Sequence, residues 1–423
     1  MTRTTRFLLT LAAGSAAIGA AAAPPHHHEP THSAELKESA HKAFTENAPD
    51  GYKDAVPHFA VFGKKDQFYL GIGGQLKVTL GEDWGAPLDN PNEFITSDIS
   101  EAAPGNRNKF LISAMQSMIY LNFVGLPNTE NQIGAFLGMN FLNDYVPVLQ
   151  YAYLKWRGLK AGYDYTTFSD NGAVPPTIDY EGPNASTAFP TPMISYTYSF
   201  GKQKAWSATL GLELPQYSIT PDKFTSSISQ GVPDIPIALK YSWNKQQDWI
   251  RASAVVRNLI YRNDIIEKNV DIVGWGIEIS GTSEIAPGLR GFWQGVYGHG
   301  IDSYIQDLNG LNMDLTPCGS LIPLKASKAW GAFGGLQYDF TDDVYSSISY
   351  SHVRNYAKPW ASGLSETEWG GQYRYAQYAV ANVFWNVNTI LTTGLEYIYG
   401  RRVNNDGTQA HTNRMQAMVQ LTF

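Results

Sequence analysis

From residue 68 the chain alternates with period two. Phe68, Leu70, Ile72, Leu76, Val78 and Leu80 fall on one face, and Tyr69, Gly71, Gly73, Gln75, Lys77 and Thr79 on the other. Successive side chains of a strand point to opposite faces, so the pattern predicts a strand with one oily and one wet side. Trp206, Ala208, Leu210 and Leu212 oppose Ser207, Thr209 and Glu213 in the same way, and Ile250, Ala252, Ala254 and Val256 oppose Arg251, Ser253 and Arg257. At the C-terminus Met415, Ala417, Val419, Leu421 and Phe423 oppose Arg414, Gln416, Gln420 and Thr422, with Met418 the one exception. Roughly sixteen such segments can be drawn. They are 68–80, 110–124, 132–143, 147–157, 159–165, 193–200, 205–214, 236–243, 249–258, 270–281, 288–298, 329–340, 343–354, 372–385, 389–402 and 410–423.

The connections alternate as well. Those after odd-numbered segments are mostly long: 81–109, 166–192, 215–235, 259–269, 299–328 and 355–371, with 144–146 and 403–409 as short exceptions. Those after even-numbered segments are short: 125–131, Gly158, 201–204, 244–248, 282–287, 341–342 and 386–388. A soluble sandwich has no reason to gather its long loops at one end, whereas a barrel crossing an outer membrane does. Phe200, Trp206, Trp243, Trp249, Phe340, Tyr345 and Trp385 flank the short turns, as an interfacial aromatic girdle requires. Inside hydrocarbon every backbone polar group must be paired within the protein, so the sheet must close. The expectation is an all-β fold: a 16-stranded antiparallel transmembrane β-barrel over residues 67–423, wide enough for a water-filled bore.

Residues 1–23 carry Arg3 and Arg6, a short apolar stretch and Ala21-Ala22-Ala23, the pattern of a cleaved signal peptide. Residues 24–66 read as a polar periplasmic segment with one short helix at 33–44, and its His26, His27, His28 and His32 as a solvated tail rather than a metal-binding arm. Composition supports export to a membrane without a helical span. Only 16% of residues are charged, against about 25% in soluble domains. The mean hydropathy of −0.26 and the lack of a long apolar run past the N-terminus exclude a helical membrane protein. The net charge of −7, becoming −7 − 2 = −9 without Arg3 and Arg6, argues against nucleic acid. A single cysteine, Cys318, excludes an intrachain disulfide framework and any multi-cysteine metal site. No cofactor is expected.

The wet face carries the candidate chemistry. Its bases are Lys77, Lys155, Arg157, Arg251, Arg257, Arg290 and Arg414, and its acids Glu213, Glu278 and Glu396. That is the reverse of the whole-chain balance, and charge lining a wet bore with low-dielectric walls concentrates counter-ions, here anions. The alternative is that these bases hold down acidic loops.

The run YAYLKWRGLKAGYDYTTFSD from Tyr151 to Asp170, followed by PTIDYEGP from Pro176 to Pro183, resembles the strand–turn–strand–third-loop region of DcaP-like porins. YLGIGG from Tyr69 and LEYIYG from Leu395 are similar to that family's first and penultimate strands, and the terminal Phe423 resembles an outer-membrane assembly signal. The resemblance implies a homotrimeric sixteen-stranded channel in outer-membrane lipid for small anionic solutes, dicarboxylates among them. It also implies that the third outer connection, 166–192, folds inward as a constriction loop carrying Asp170, Asp179 and Glu181. A periplasmic coiled-coil stalk, common in that family, is here reduced to the short helix.

Two other classes compete. A rim hydrolase would rest on His299, Asp302 and Ser303, but three such groups within five residues do not make a triad, whose members converge from separate elements. A receptor or adhesin barrel would need only the long loops. Gly331–Gly335 lies inside a predicted strand, with no following helix for a phosphate cradle, and its glycines are expected to relieve crowding between barrel neighbours or subunits. Asn404-Asn405-Asp406-Gly407 is read as a hairpin turn rather than a calcium site.

Overall fold

A computed structural model describes residues 32–50, 57, 59–63, 67–101, 105–220, 224–317, 324–357 and 370–423, with the dipeptide Leu9–Thr10. The rest of the leader, His26–His28 and Cys318 lie outside the described residues. Sixteen strands form the wall: β1 Phe68–Gly85, β2 Asn108–Gly125, β3 Ile133–Asn143, β4 Val146–Trp156, β5 Leu159–Tyr165, β6 Pro190–Phe200, β7 Trp206–Glu213 and β8 Ile235–Trp243. There follow β9 Asp248–Asn263, β10 Lys268–Ala286, β11 Leu289–His299, β12 Lys328–Asp339, β13 Val344–Asn355, β14 Tyr373–Asn386, β15 Leu391–Asn404 and β16 Gln409–Thr422. Each pairs antiparallel with its sequence neighbours, and β16 returns to β1 in a ladder from Thr412 opposite Gly85 to Thr422 opposite Gln75. No edge is left, so the backbone groups of the ladder are satisfied without water.

The predicted segments all exist, but several strands run further at the long-loop end. β1 reaches Gly85, and β9 and β10 run to Asn263 and from Lys268, so the connection expected at 259–269 shrinks to 264–267. β2 is broken instead of continuous: Asn108–Ser113 and Met118–Gly125 pair with β1 separately. In the gap the Lys77 amide donates to Ser117 Oγ at 3.1 Å, a side chain replacing the missing ladder partner.

The alternation sorts the two faces. Leu76, Val78 and Leu80 are exposed on the outside, and Lys77 and Thr79 between them are buried within. Phe200, Trp206, Trp243, Phe340 and Trp385 face outward beside the short turns. Trp206 stands 4.7 Å from Tyr241 and Phe200 stacks on Trp206 at 6.3 Å. Trp249 and Tyr345, expected in the same girdle, face inward. Trp249 Nε1 donates to Asp170, and Tyr345 stacks on the buried Phe384. Proximity to a turn sets height, whereas residue parity sets the face.

Residues His32–Asn47 form helix α1, longer than the stretch 33–44 expected from the sequence. Its C-terminal half enters the barrel mouth at the short-turn end. Ala43 and Phe44 pack on the inward Tyr69 and Val124. Asn47 Nδ2 donates to Asn122 Oδ1 at 2.7 Å and to the Ala135 carbonyl at 3.0 Å. The final carbonyls of a helix lack partners within it, and here the Tyr153 hydroxyl and Lys155 ammonium supply them at Asn47. Gly134 is required here, since a Cβ would overlap Asn47 Oδ1.

On the far side of the bore, three layers fill the interior. Phe168 and Phe189 of the connection 166–189 meet Ile301, Tyr304, Ile305 and Leu308 of the connection 300–327, and both lie on Phe292, Phe333, Val353 and Tyr373 of β11–β14. The fill is one-sided, so the open space runs along β3–β9.

Candidate functional site

The connection 166–189 is tied to residues that point inward from strands around the barrel. Glu396 on β15 accepts the amides of Ile178 and Asp179 at 2.7 and 2.8 Å. Lys77 on β1 donates its ammonium to the Ile178 carbonyl at 2.9 Å. Ser347 on β13 and Asn382 on β14 hold the Pro176 carbonyl at 2.6 and 2.9 Å, and Gln294 on β11 holds that of Ala185 at 2.9 Å. Arg251 on β9 donates to the carbonyls of Thr167 and Phe168. The glycines Gly331 and Gly335 of β12 make room for this segment: an added Cβ would stand 3.0 Å from Ala185 and 2.9 Å from Pro175. Crowding between barrel neighbours, expected from the sequence, is present at Gly335, where a Cβ would also stand 3.1 Å from Ser349 on β13, and the loop adds to it.

The three loop acids are all buried, each in a different setting. Asp170 accepts from Trp249 Nε1 at 2.9 Å and Ser280 Oγ at 2.7 Å. Asp179 accepts the Phe94 amide and the Tyr378 hydroxyl, both at 2.9 Å. Burial, then the Glu396 carboxylate, push its carboxyl up to about 7, against the pull of Arg414 and these two donors. Glu181 has backbone hydrogen bonds only, and no donor reaches its carboxylate among the described residues. Burial, with Asp307 and Asp179 next, pushes it well above the usual carboxylate range.

The wall bases are engaged with acids or carbonyls. Arg414 grips Asp83 with two hydrogen bonds of 2.6 and 3.0 Å and is fully buried. Arg257 lies between Asp234 at 2.9 Å and Asp314 at 3.3 Å, and donates to the Gly300 carbonyl at 2.7 Å. Arg251 stands 3.6 Å from Glu278, and Arg290 3.0 Å from Asp248 near the turn end. Lys155 caps α1 as described. Arg157 belongs to the turn between β4 and β5, not to the wall. It is exposed, with φ 47° followed by Gly158 at 84°, the left-handed pair of a two-residue hairpin, and it donates to Asn131.

Two inward bases escaped the sequence reading. Lys160 on β5 pairs with Asp164 at 2.7 Å, and Lys240 on β8 sits 3.8 Å over the Trp249 ring. Both were legible by parity, because their strand neighbours Leu159, Leu239 and Tyr241 are exposed on the outside.

Open space remains as a file of cavities on the β3–β9 side. An outer cavity of 720 Å³ is lined by Glu93, Asp98, Tyr163, Tyr165, Glu181 and Ser186, among others. A middle one of 300 Å³ is lined by Lys160, Asp164, Thr197, Thr209, Lys240 and Arg251. The two share Asp50, Tyr165 and Asn171. A third, of 440 Å³, opens at the α1 end and shares Asp50, Lys160 and Thr197 with the middle one. The three cavities thus adjoin through shared lining residues beside the docked loop.

The competing chemistry lacks geometry. His299 stacks on Trp275, Asp302 accepts from Ser327 and Asn355, and the Ser303 hydroxyl bonds to the Gln216 carbonyl and Asp314. No histidine reaches Ser303 among the described residues, and the Asp314 carboxylate it touches is held by Arg257, so no general base is poised to activate it. Among the described residues no group of three or more His, Cys, Asp or Glu is arranged to hold a metal ion.

Comparison with known proteins agrees with the wall. The sequence profile of a family described as the porin subfamily matches residues 135–420. No curated protein matches the sequence. Among solved structures, the outer membrane channel DcaP of Acinetobacter baumannii superposes with TM-score 0.71 at 16% identity, over 86% of this chain and 100% of that one. Salmonella typhi OmpF gives 0.52 at 13% identity, over 86% and 100%. An anion-selective porin from Comamonas acidovorans gives 0.50 at 10%, over 84% and 100%.

Proposed function

Since this chain belongs to the porin subfamily and is a channel protein of the bacterial outer membrane rather than an enzyme, we propose that it conducts small hydrophilic solutes passively, down their gradients. The observation that carries this is the file of three cavities sharing Asp50 along one side of a closed barrel. The connection 166–189 acts as the constriction, narrowing the bore from the β9–β15 side, and the chain assembles as a homotrimer. α1 occupies part of the periplasmic mouth.

A preference for small anions such as dicarboxylates is the finer part of the proposal. It draws support from Lys160, Lys240 and Arg251, which stand with Asp50, Asp164 and Asp170 around the 300 Å³ cavity, the smallest of the three. Arg257 and Arg414, by contrast, are enclosed with their carboxylates and act as braces for the loops. Purified protein in planar bilayers should give stepwise currents and, across a salt gradient, a reversal potential on the anion side. Lys240→Glu should move that potential toward cations, because it reverses charge in the smallest cavity. Absence of steps would refute the channel, and a cation-side potential unmoved by Lys240→Glu would refute the anion preference.

A further inference from the structure

The outer cavity is a different electrostatic environment from the middle one. No lysine or arginine lines its 720 Å³, whereas Asp50, Glu93, Asp98 and Glu181 all do. Acidic side chains alone would describe a solvated rim, but Glu181 among them is only 7% exposed, and no hydrogen bond or ion pair to its carboxylate is formed among the described residues. A carboxylate so shielded and left unpaired costs several kcal/mol unless something supplies donors. Tyr163, Tyr165 and Tyr180 also line the cavity, and the faces of such rings attract cations.

We propose that this cavity is a docking site for small ammonium-bearing solutes, with the ammonium donating to Glu181 and lying against the tyrosine faces. The fit is chemical. A primary ammonium has three donors and no acceptor, which suits an unpartnered carboxylate set in an acidic cavity. Its arrival also relieves the mutual repulsion of Glu181 with Asp307, Asp179, Glu93 and Asp98. Chloride or a carboxylate would find no donor side chain of opposite charge on the lining. The site lies in series with the middle cavity, where Lys160, Lys240 and Arg251 stand among Asp50, Asp164 and Asp170, so a solute carrying ammonium at one end and carboxylate at the other finds its carboxylate's counter-charge only at the second level. The inference rests on the channel reading, because access to the cavity is through the outer mouth.

The test uses the full chain in planar bilayers, with butylammonium or butyrate added on the long-loop side at equal concentration. Butylammonium should interrupt the ion current in a concentration-dependent way and butyrate should not. Glu181→Gln should weaken the interruption at least about tenfold, the share of a charge-assisted hydrogen bond. Asp342→Asn, in an exposed turn at the opposite end, should leave it unchanged. Equal interruption by the two probes, or an undiminished effect in Glu181→Gln, overturns the site. Should Glu181→Gln fail to fold, the comparison of probes on the unmodified chain and Glu93→Gln, at a half-buried position, decide the matter. A chain that passes no current at all overturns the channel reading instead.

Discussion

Glu396 holds the connection 166–189 in place, and its neutral isostere isolates that role. Four donors converge on this carboxylate: the Ile178 and Asp179 amides at 2.7 and 2.8 Å, Gln416 at 2.9 Å and Asn382 at 3.0 Å. The two side-chain amides can rotate to suit a glutamine. The two backbone amides cannot. In Glu396→Gln one of them faces an NH₂ and loses its acceptor, costing about 2 kcal/mol, and the other exchanges a charged acceptor for a neutral one, about 1 kcal/mol more. Loop docking should therefore weaken by about 3 kcal/mol, on the order of a hundredfold in the undocked population. The wall should persist, because the β14–β15 and β15–β16 ladders use none of these groups. Chymotryptic cleavage at Phe168 or Tyr180 in the folded, membrane-inserted protein reads that population directly when opening is fast. Cleavage unchanged in a correctly folded Glu396→Gln barrel would refute the claim that this residue anchors the loop.

Further outcomes follow from the same contacts. Asp179 has its carboxyl pushed up to about 7 from an ordinary 3.8, so the docked loop binds the proton more tightly than the released loop. Its contribution to docking is fullest below pH 3.8 and is lost as pH rises to 7, and the cleavage rate should climb through that window, with Asp179→Asn flattening the rise. Gly134→Val fills the space of Asn47 Oδ1 and should expel the end of α1, raising single-channel conductance without loss of the barrel; unchanged conductance would place α1 outside the conducting path. Arg257→Met leaves Asp234 and Asp314 buried without their counter-charge, a loss of about 3–5 kcal/mol that should appear as a lower unfolding temperature in detergent.

The period-two pattern fixed more than fold class. It gave sixteen strands, the end carrying the short turns, and the face of most wall residues, because within an unbroken strand the side-chain direction follows parity. Lys240 and Trp249 show how far that rule extends, since both inward orientations follow from exposed neighbours such as Leu239 and Ile250. Pairing across the barrel was decided elsewhere. Arg257 reads from the sequence as a base on a wet wall, open to a solute or to a loop acid, and only the folding back of two long connections brings Asp234 and Asp314 to it. The partner of Glu396 lies more than two hundred positions away in the chain, a separation that no local pattern encodes. The same holds for α1, whose short apolar stripe finds its cover in the mouth of the barrel, on Tyr69 and Val124. Backbone periodicity is local physics and is written residue by residue; the contents of the bore depend on which loops share one enclosed volume, and that is settled when the cylinder closes.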